Sequence, residues 1–180
     1  MSRFRIGRVK AIPHFILSPN NREACQANSD HRLSLEDLQN WELEFSRIPP
    51  GAGVFTLTGW GKYWEKYELY KNTDALRKLR FPGFSAEAAR FLVEERAAKR
   101  IGIDALSVDD GLSADFSVHH IINSARGSNV ENAAHLEDIP VRGGLVMIAP
   151  IKSQNGSGDP SRIWAVFEKQ SRDLFGGNLE

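Results

Sequence analysis

Residues 85–108 read SAEAARFLVEERAAKRIGIDALSV, and a change of hydrophobic period inside this stretch decides the fold class. Ser85 can accept an early amide as an N-cap, and Glu87 falls in the first turn, where the helix dipole favours an acid. Ala88, Ala89, Leu92 and Val93 then share one face, so the spacing predicts an amphipathic helix running to about Arg100. Ile101 to Val108 reads as a strand. A helix that feeds directly into a strand is the repeating step of an α/β chain.

The same alternation continues outward. Towards the N-terminus, Ile12 to Leu17 is a short apolar run closed by the turn signal Ser18-Pro19-Asn20, and Val54 to Thr58 is a β-branched and aromatic run between Gly53 and Gly59; both predict strands. Between them Ser34 and Asp37 have capping-box spacing, with Leu35, Leu38 and Trp41 at helical intervals, and Ile48-Pro49-Pro50-Gly51 stops that helix. Trp60 to Arg80 lacks clean periodicity and reads as loop with some helix. Towards the C-terminus, Val118 to Ser124 reads as a short helix, and Gly144 to Pro150 and Arg162 to Phe167 as strands. The sum is an α/β fold with a mixed sheet. Without repeats or long linkers, residues 1–180 read as a single domain, with 1–11 a first strand or frayed end and 168–180 a C-terminal tail.

Lys+Arg and Asp+Glu each number 23, which leaves no net charge to draw the chain to nucleic acid or anionic lipid. Neither partner is expected. The basic residues Arg3, Arg5, Arg8 and Lys10 alternate with Phe4, Ile6 and Val9 rather than forming a targeting arm, and no run reaches the ~20 apolar residues of a membrane span. Cys25 is the only cysteine, so no internal disulfide can form and a cytoplasmic protein is expected; with no paired base in view, Cys25 reads as inert.

Asp104, Asp109, Asp115, His119, His120 and Glu131 crowd one strand end and one short helix, the place where α/β proteins build sites. His119 and Glu131 offer an imidazole nitrogen and a carboxylate oxygen, suited to Zn²⁺ or Mn²⁺. Spacing alone favours a plainer reading, a helix histidine bonded to a carbonyl and a solvated or capping acid. A catalytic ion takes about three protein ligands plus water, and only two stand out here. His120 points about 100° away from His119 on a helix. His14, His31 and His135 read as structural. Gly156-Ser157-Gly158 after Lys152 lacks the phosphate-loop pattern and reads as a turn between strands, and no G-x-S-x-G elbow occurs.

These residues resemble the cyclase family of metal-dependent hydrolases that includes kynurenine formamidase and isatin hydrolase. The likeness is carried by Gly102-Ile103-Asp104-Ala105-Leu106-Ser107-Val108-Asp109, then His119, then Glu131-Asn132. Arg47-Ile48-Pro49 with Gly51, Thr58-Gly59-Trp60, Phe81-Pro82-Gly83, Pro150-Ile151-Lys152 and Gly156-Ser157-Gly158 with Pro160 and Arg162 follow the family's landmarks in order, from about Ile12 to Phe167. The resemblance implies a swivelling β/β/α fold, a homo-oligomer, and Zn or Mn activating water against a small-molecule amide or N-formyl substrate. It implies that His119 and Glu131 are metal ligands, matching the family's later histidine and glutamate twelve residues apart. The family's early His-x-Gly-Thr-His-x-Asp motif and its catalytic histidine have no counterpart in this sequence, and His14 does not replace that histidine.

The expectation is therefore a cyclase-like chain, N-terminally truncated relative to the family, of the kynurenine formamidase (arylformamidase) type, with half a site and activity only where something else completes it. The alternative is a non-catalytic relative that keeps the fold and an oligomer interface. Loss of strands before Ile12 would leave a sheet edge or apolar face uncovered, and such surfaces promote association.

Overall fold

The computed structural model describes residues 10–18 and 21–167, with residues 10–15 described by their backbone alone. The expectations for the N-terminal arm, for Pro19 and Asn20, for the side chain of His14 and for the tail beyond 167 lie outside these residues.

The chain runs β1 (Lys10–Ser18), α1 (Asn21–Ala27), β2 (Arg32–Leu33), α2 (Leu35–Phe45) and β3 (Gly53–Thr56). A 3₁₀ turn at Trp60–Tyr63, α3 (Tyr67–Lys71), β4 (Gly83–Phe84), α4 (Ala86–Arg90) and a π-helical turn at Phe91–Glu95 follow. β5 (Arg100–Ile103), α5 (Ser117–Ser124), β6 (Ser128–Val130), a 3₁₀ turn at Leu136–Asp138, β7 (Arg142–Pro150) and β8 (Ser161–Phe167) complete it. Six strands form one mixed sheet in the order β6-β5-β3-β1-β7-β8. β1, β3, β5 and β6 are parallel, while β7 runs antiparallel to β1 and β8 antiparallel to β7.

The central strands are apolar because both faces of the sheet are covered. Val54, Ile101 and Ile103 face a core shared with Leu38, Trp41, Phe84, Leu92 and Ile122. Phe55 and Leu17 face a second core with Val130, Leu136, Val146 and Ile148. Gly102 lies on the Phe55 side of β5, and a Cβ there would stand 2.2 Å from the Phe55 ring. The missing side chain is the space that the ring occupies.

α2 begins as its sequence predicts. Asp37 N–H donates to Ser34 Oγ at 3.1 Å, and the Asp37 carboxylate accepts from Ser34 N–H at 2.7 Å, closing the capping box. Three elements end sooner than their patterns suggest, β3 among them, at Thr56 rather than Thr58. The helix from Ser85 does not reach Arg100: it widens into the π turn, Ala97 takes a left-handed φ of 49°, and Ala98 N–H closes onto Leu92 O. The strand from Ile101 stops at Ile103, because the Asp104 carboxylate turns aside to hold Thr58. The uncovered edge expected before Ile12 does not arise on β1, which is paired on both sides. Instead Trp164 and Val166 are exposed on the edge strand β8. Among the described residues no helix is long and apolar enough to cross a membrane.

Arg96 clamps the end of α2 to the π turn, with its Nε and Nη2 donating to Glu42 at 2.6 and 2.8 Å. This fork holds the Glu42 carboxyl below its ordinary pKa of 4.5. A carboxylate with a depressed native pKa adds stability above its unfolded pKa, and that stability is lost as pH falls through the native value. Arg96→Met should therefore destabilise the protein at pH 7, and the gap from wild type should close below about pH 4.5 in denaturant titrations. A gap that stays constant down to pH 3 would contradict the clamp.

Candidate active site

The parallel strands bring their carboxyl ends to one edge of the sheet, where Thr58 follows β3, Asp104 follows β5 and Glu131 follows β6. α5 enters this edge with no capping side chain of its own, since the residue before it is Phe116 in a left-handed conformation. Asp109 supplies the cap from the preceding loop. Its Oδ1 accepts Val118 N–H at 2.9 Å and its Oδ2 accepts His119 N–H at 3.2 Å. The same Oδ2 accepts His119 Nδ1–H at 2.6 Å, with Asp109 only 2% exposed. A carboxylate cannot donate, so the proton on this contact belongs to Nδ1 and the ring is fixed with Nε2 turned outward. Nε2 lies 3.2 Å from Glu131 Oε1, and Glu131 is steadied by Val108 N–H donating to that oxygen at 3.1 Å.

The loop that carries Asp109 is placed by close backbone packing. Phe84 N–H donates to Val108 O at 2.8 Å and Gly111 N–H to Phe81 O at 2.9 Å. A Cβ on Gly83 would stand 2.3 Å from Asp110 N, and one on Gly111 2.6 Å from Leu79 O. Glycine stands at both positions because the two backbones leave no room for a side chain.

The remaining acids and histidines have other work. Asp104 is buried, accepting Thr58 N–H at 2.8 Å and Thr58 Oγ–H at 2.6 Å. Asp110 pairs with Arg32 Nε at 2.8 Å. Asp115 accepts Ser117 N–H at 3.3 Å near the start of α5. His120 turns away into a shallow groove with Arg90, Val93 and Glu94. His31 contacts Asn21 Oδ1 at 3.2 Å, and His135 sits exposed beside Asp138. Gly156 to Gly158 lies in the exposed loop between β7 and β8. Cys25 is buried with its thiol pushed up to about 12 by burial, in keeping with an inert cysteine.

The family resemblance, not spacing alone, pointed to His119 and Glu131 as ligands, and neither gave Asp109 a role. The available signal was an acid on the loop before a helix that lacks its own cap. Tyr70 was missed outright. Its hydroxyl donates to Asn132 Oδ1 at 2.7 Å and lies 3.3 Å from Asp104 O; burial, with Asp104 and Glu131 nearby, pushes the phenol up, so it remains a donor at neutral pH.

The donor pair suits a divalent ion in type and separation. Two ligands each about 2.1 Å from a tetrahedral ion stand roughly 3.4 Å apart, close to the observed gap between Nε2 and Oε1. The Asp109 contact is the carboxylate–histidine arrangement that commonly orients a metal-binding imidazole. Two donors do not make a full site, and among the described residues no three His, Cys, Asp or Glu side chains come together to hold an ion.

The Cyclase family model, described as "Putative cyclase", matches residues 12–110, more than half of the sequence, and the chain belongs to that family. It is 25% identical over 162 residues to an isatin hydrolase of Roseibium aggregatum, covering 86% of this chain and 61% of that one. The fold resembles isatin hydrolase A from Labrenzia aggregata, solved with benzyl benzoate, at a TM-score of 0.80 and 29% identity, covering 87% of this chain and 61% of the other. Isatin hydrolase A from Ralstonia solanacearum gives 0.81 and 27%, with 87% and 60% covered. The chain thus spans about three-fifths of the length of these relatives.

Proposed function

We propose that this chain carries part of a metal-dependent amide hydrolase site, with His119 and Glu131 as two ligands of a Zn or Mn ion and Asp109 orienting the imidazole. The observation that carries the reading is one imidazole held between two carboxylates, Nδ1 at 2.6 Å from Asp109 and Nε2 at 3.2 Å from Glu131. An ion held here needs further ligands besides these two. A divalent ion bound there supplies Lewis acidity towards a carbonyl and makes water acidic enough to act as a nucleophile near neutral pH. The chain's own part is orientation. Asp109 accepts from Nδ1 and so turns Nε2 towards Glu131, the nitrogen that a bound ion would meet, and Val108 N–H holds Glu131 Oε1 on the same side.

The similarity to isatin hydrolases supports a cyclic amide of the isatin type as substrate ahead of the N-formyl amide of a kynurenine formamidase. Self-association belongs to the same reading, supported by the apolar Trp164 and Val166 exposed on β8. The test loads the protein with Zn²⁺ or Mn²⁺ and follows opening of isatin and hydrolysis of N-formylkynurenine, with light scattering on the same sample. Metal-dependent ring opening by an oligomer, absent in His119→Ala/Glu131→Ala, is expected. A monomer that binds no metal and turns over neither compound would instead favour a non-catalytic member of the family.

A further inference from the structure

We infer that Tyr70 is a positioning residue for Glu131, acting through Asn132; the inference deepens the proposed function and takes His119 and Glu131 as the site. Glu131 is the first residue after β6, so its direction depends on how the chain turns next. That turn is made by Asn132 in a left-handed conformation, φ 55°, which asparagine tolerates better than most residues but which still needs support. The backbone supplies some of it, with Asn132 N–H donating to Ala105 O at 2.9 Å and Ala133 N–H to Ile103 O at 3.0 Å. The Asn132 side chain is held from elsewhere, by the Tyr70 hydroxyl at 2.7 Å.

Tyr70 is itself a fixed point. It is 4% exposed, its carbonyl accepts Trp60 Nε1–H at 2.8 Å, and Trp64 packs edge-on against its ring. Trp60 is anchored in turn, since its N–H donates to Thr58 Oγ1 at 3.1 Å and that hydroxyl donates to Asp104 at 2.6 Å. A continuous set of contacts thus runs from the Thr58-Gly59-Trp60 turn after β3, through Tyr70 on α3, to Asn132 and the carboxylate beside it. α3 and the end of β6 are distant in sequence, and the phenol is what joins the first to the turn that aims Glu131.

Tyr70→Phe keeps the ring and removes only the hydroxyl, and Asn132→Gly keeps the left-handed turn while removing the acceptor. The reporter is hydrogen exchange at Val108 N–H, which donates to Glu131 Oε1, compared with Val118 N–H, which donates to Asp109 Oδ1. In both variants Val108 exchange should quicken about tenfold, the scale of one lost hydrogen bond, with Val118 unchanged. The double variant should be no faster than the faster single one, since both substitutions break one contact. Zinc titration should show affinity about tenfold weaker in each. An unchanged Val108 in Tyr70→Phe overturns the inference, and so does equal quickening at Val108 and Val118, which would mean general loosening. Wild type that takes up no more zinc than His119→Ala/Glu131→Ala would sink the hydrolase reading alone, while the amide result still decides the role of Tyr70.

Discussion

Gly83→Ala should cost about 3 kcal/mol of stability, near the upper end for an overpacked interior position, and lower the melting temperature by roughly 10 °C. The new methyl would stand 2.3 Å from Asp110 N, 2.6 Å from Asp109 C and 2.7 Å from Asp110 Cα. All three are backbone atoms, so no side chain can swing away to make room. β4 is tied to this segment by the Phe84-to-Val108 hydrogen bond, and a shift that relieves the clash must break it or move the loop. Either response displaces Asp109, so the variant should also lose metal affinity. Gly158→Ala is the control: nothing lies within 4 Å of a Cβ there and its backbone φ suits an alanine, so its melting temperature should match wild type. Thermal unfolding of Gly83→Ala within about 2 °C of wild type would contradict the close backbone approach.

Asp109→Ala should lower stability by about 3 kcal/mol and weaken metal binding 10- to 100-fold. The carboxylate accepts Val118 N–H, His119 N–H and His119 Nδ1–H, while Asp115 reaches only the Ser117 amide, at 3.3 Å. Its removal uncaps the helix and frees the imidazole to rotate or change tautomer. Asp109→Asn separates these two effects. One oxygen still serves the Val118 amide, but the amide NH₂ then faces His119 Nδ1, which must become an acceptor and send its proton to Nε2. A protonated Nε2 cannot bind an ion, so Asn should lose metal affinity nearly as fully as Ala at a smaller cost in stability. Zinc affinity in Asp109→Asn equal to wild type would show that Asp109 is a helix cap and nothing more.

The parts of the fold legible in the sequence are those governed by local chemistry. Ser34 and Asp37 form a capping box because both partners lie within one turn, and the strands β1, β3, β7 and β8 announce themselves by apolar runs between turn residues. Boundaries set by distant groups were not legible. Nothing between Ile101 and Val108 says that Asp104 will leave the strand for Thr58, and the apolar face of Ala88, Ala89, Leu92 and Val93 does not reveal a π turn closed by Ala97. β2 and β4 are two residues each, too short to show a period, and the polar sequence of α1 hid that helix. At the site, the twelve-residue interval between His119 and Glu131 was visible. The contacts that aim them were not, because Asp109 and Tyr70 reach them through the tertiary fold.

The central claim, that His119 and Glu131 are ligands held by Asp109, is most directly tested by metal analysis of the purified protein beside His119→Ala/Glu131→Ala after equilibration with Zn²⁺ and Mn²⁺. One bound ion per site is expected in the wild type and none in the double variant. Equal metal in both proteins, or none in either, would contradict it.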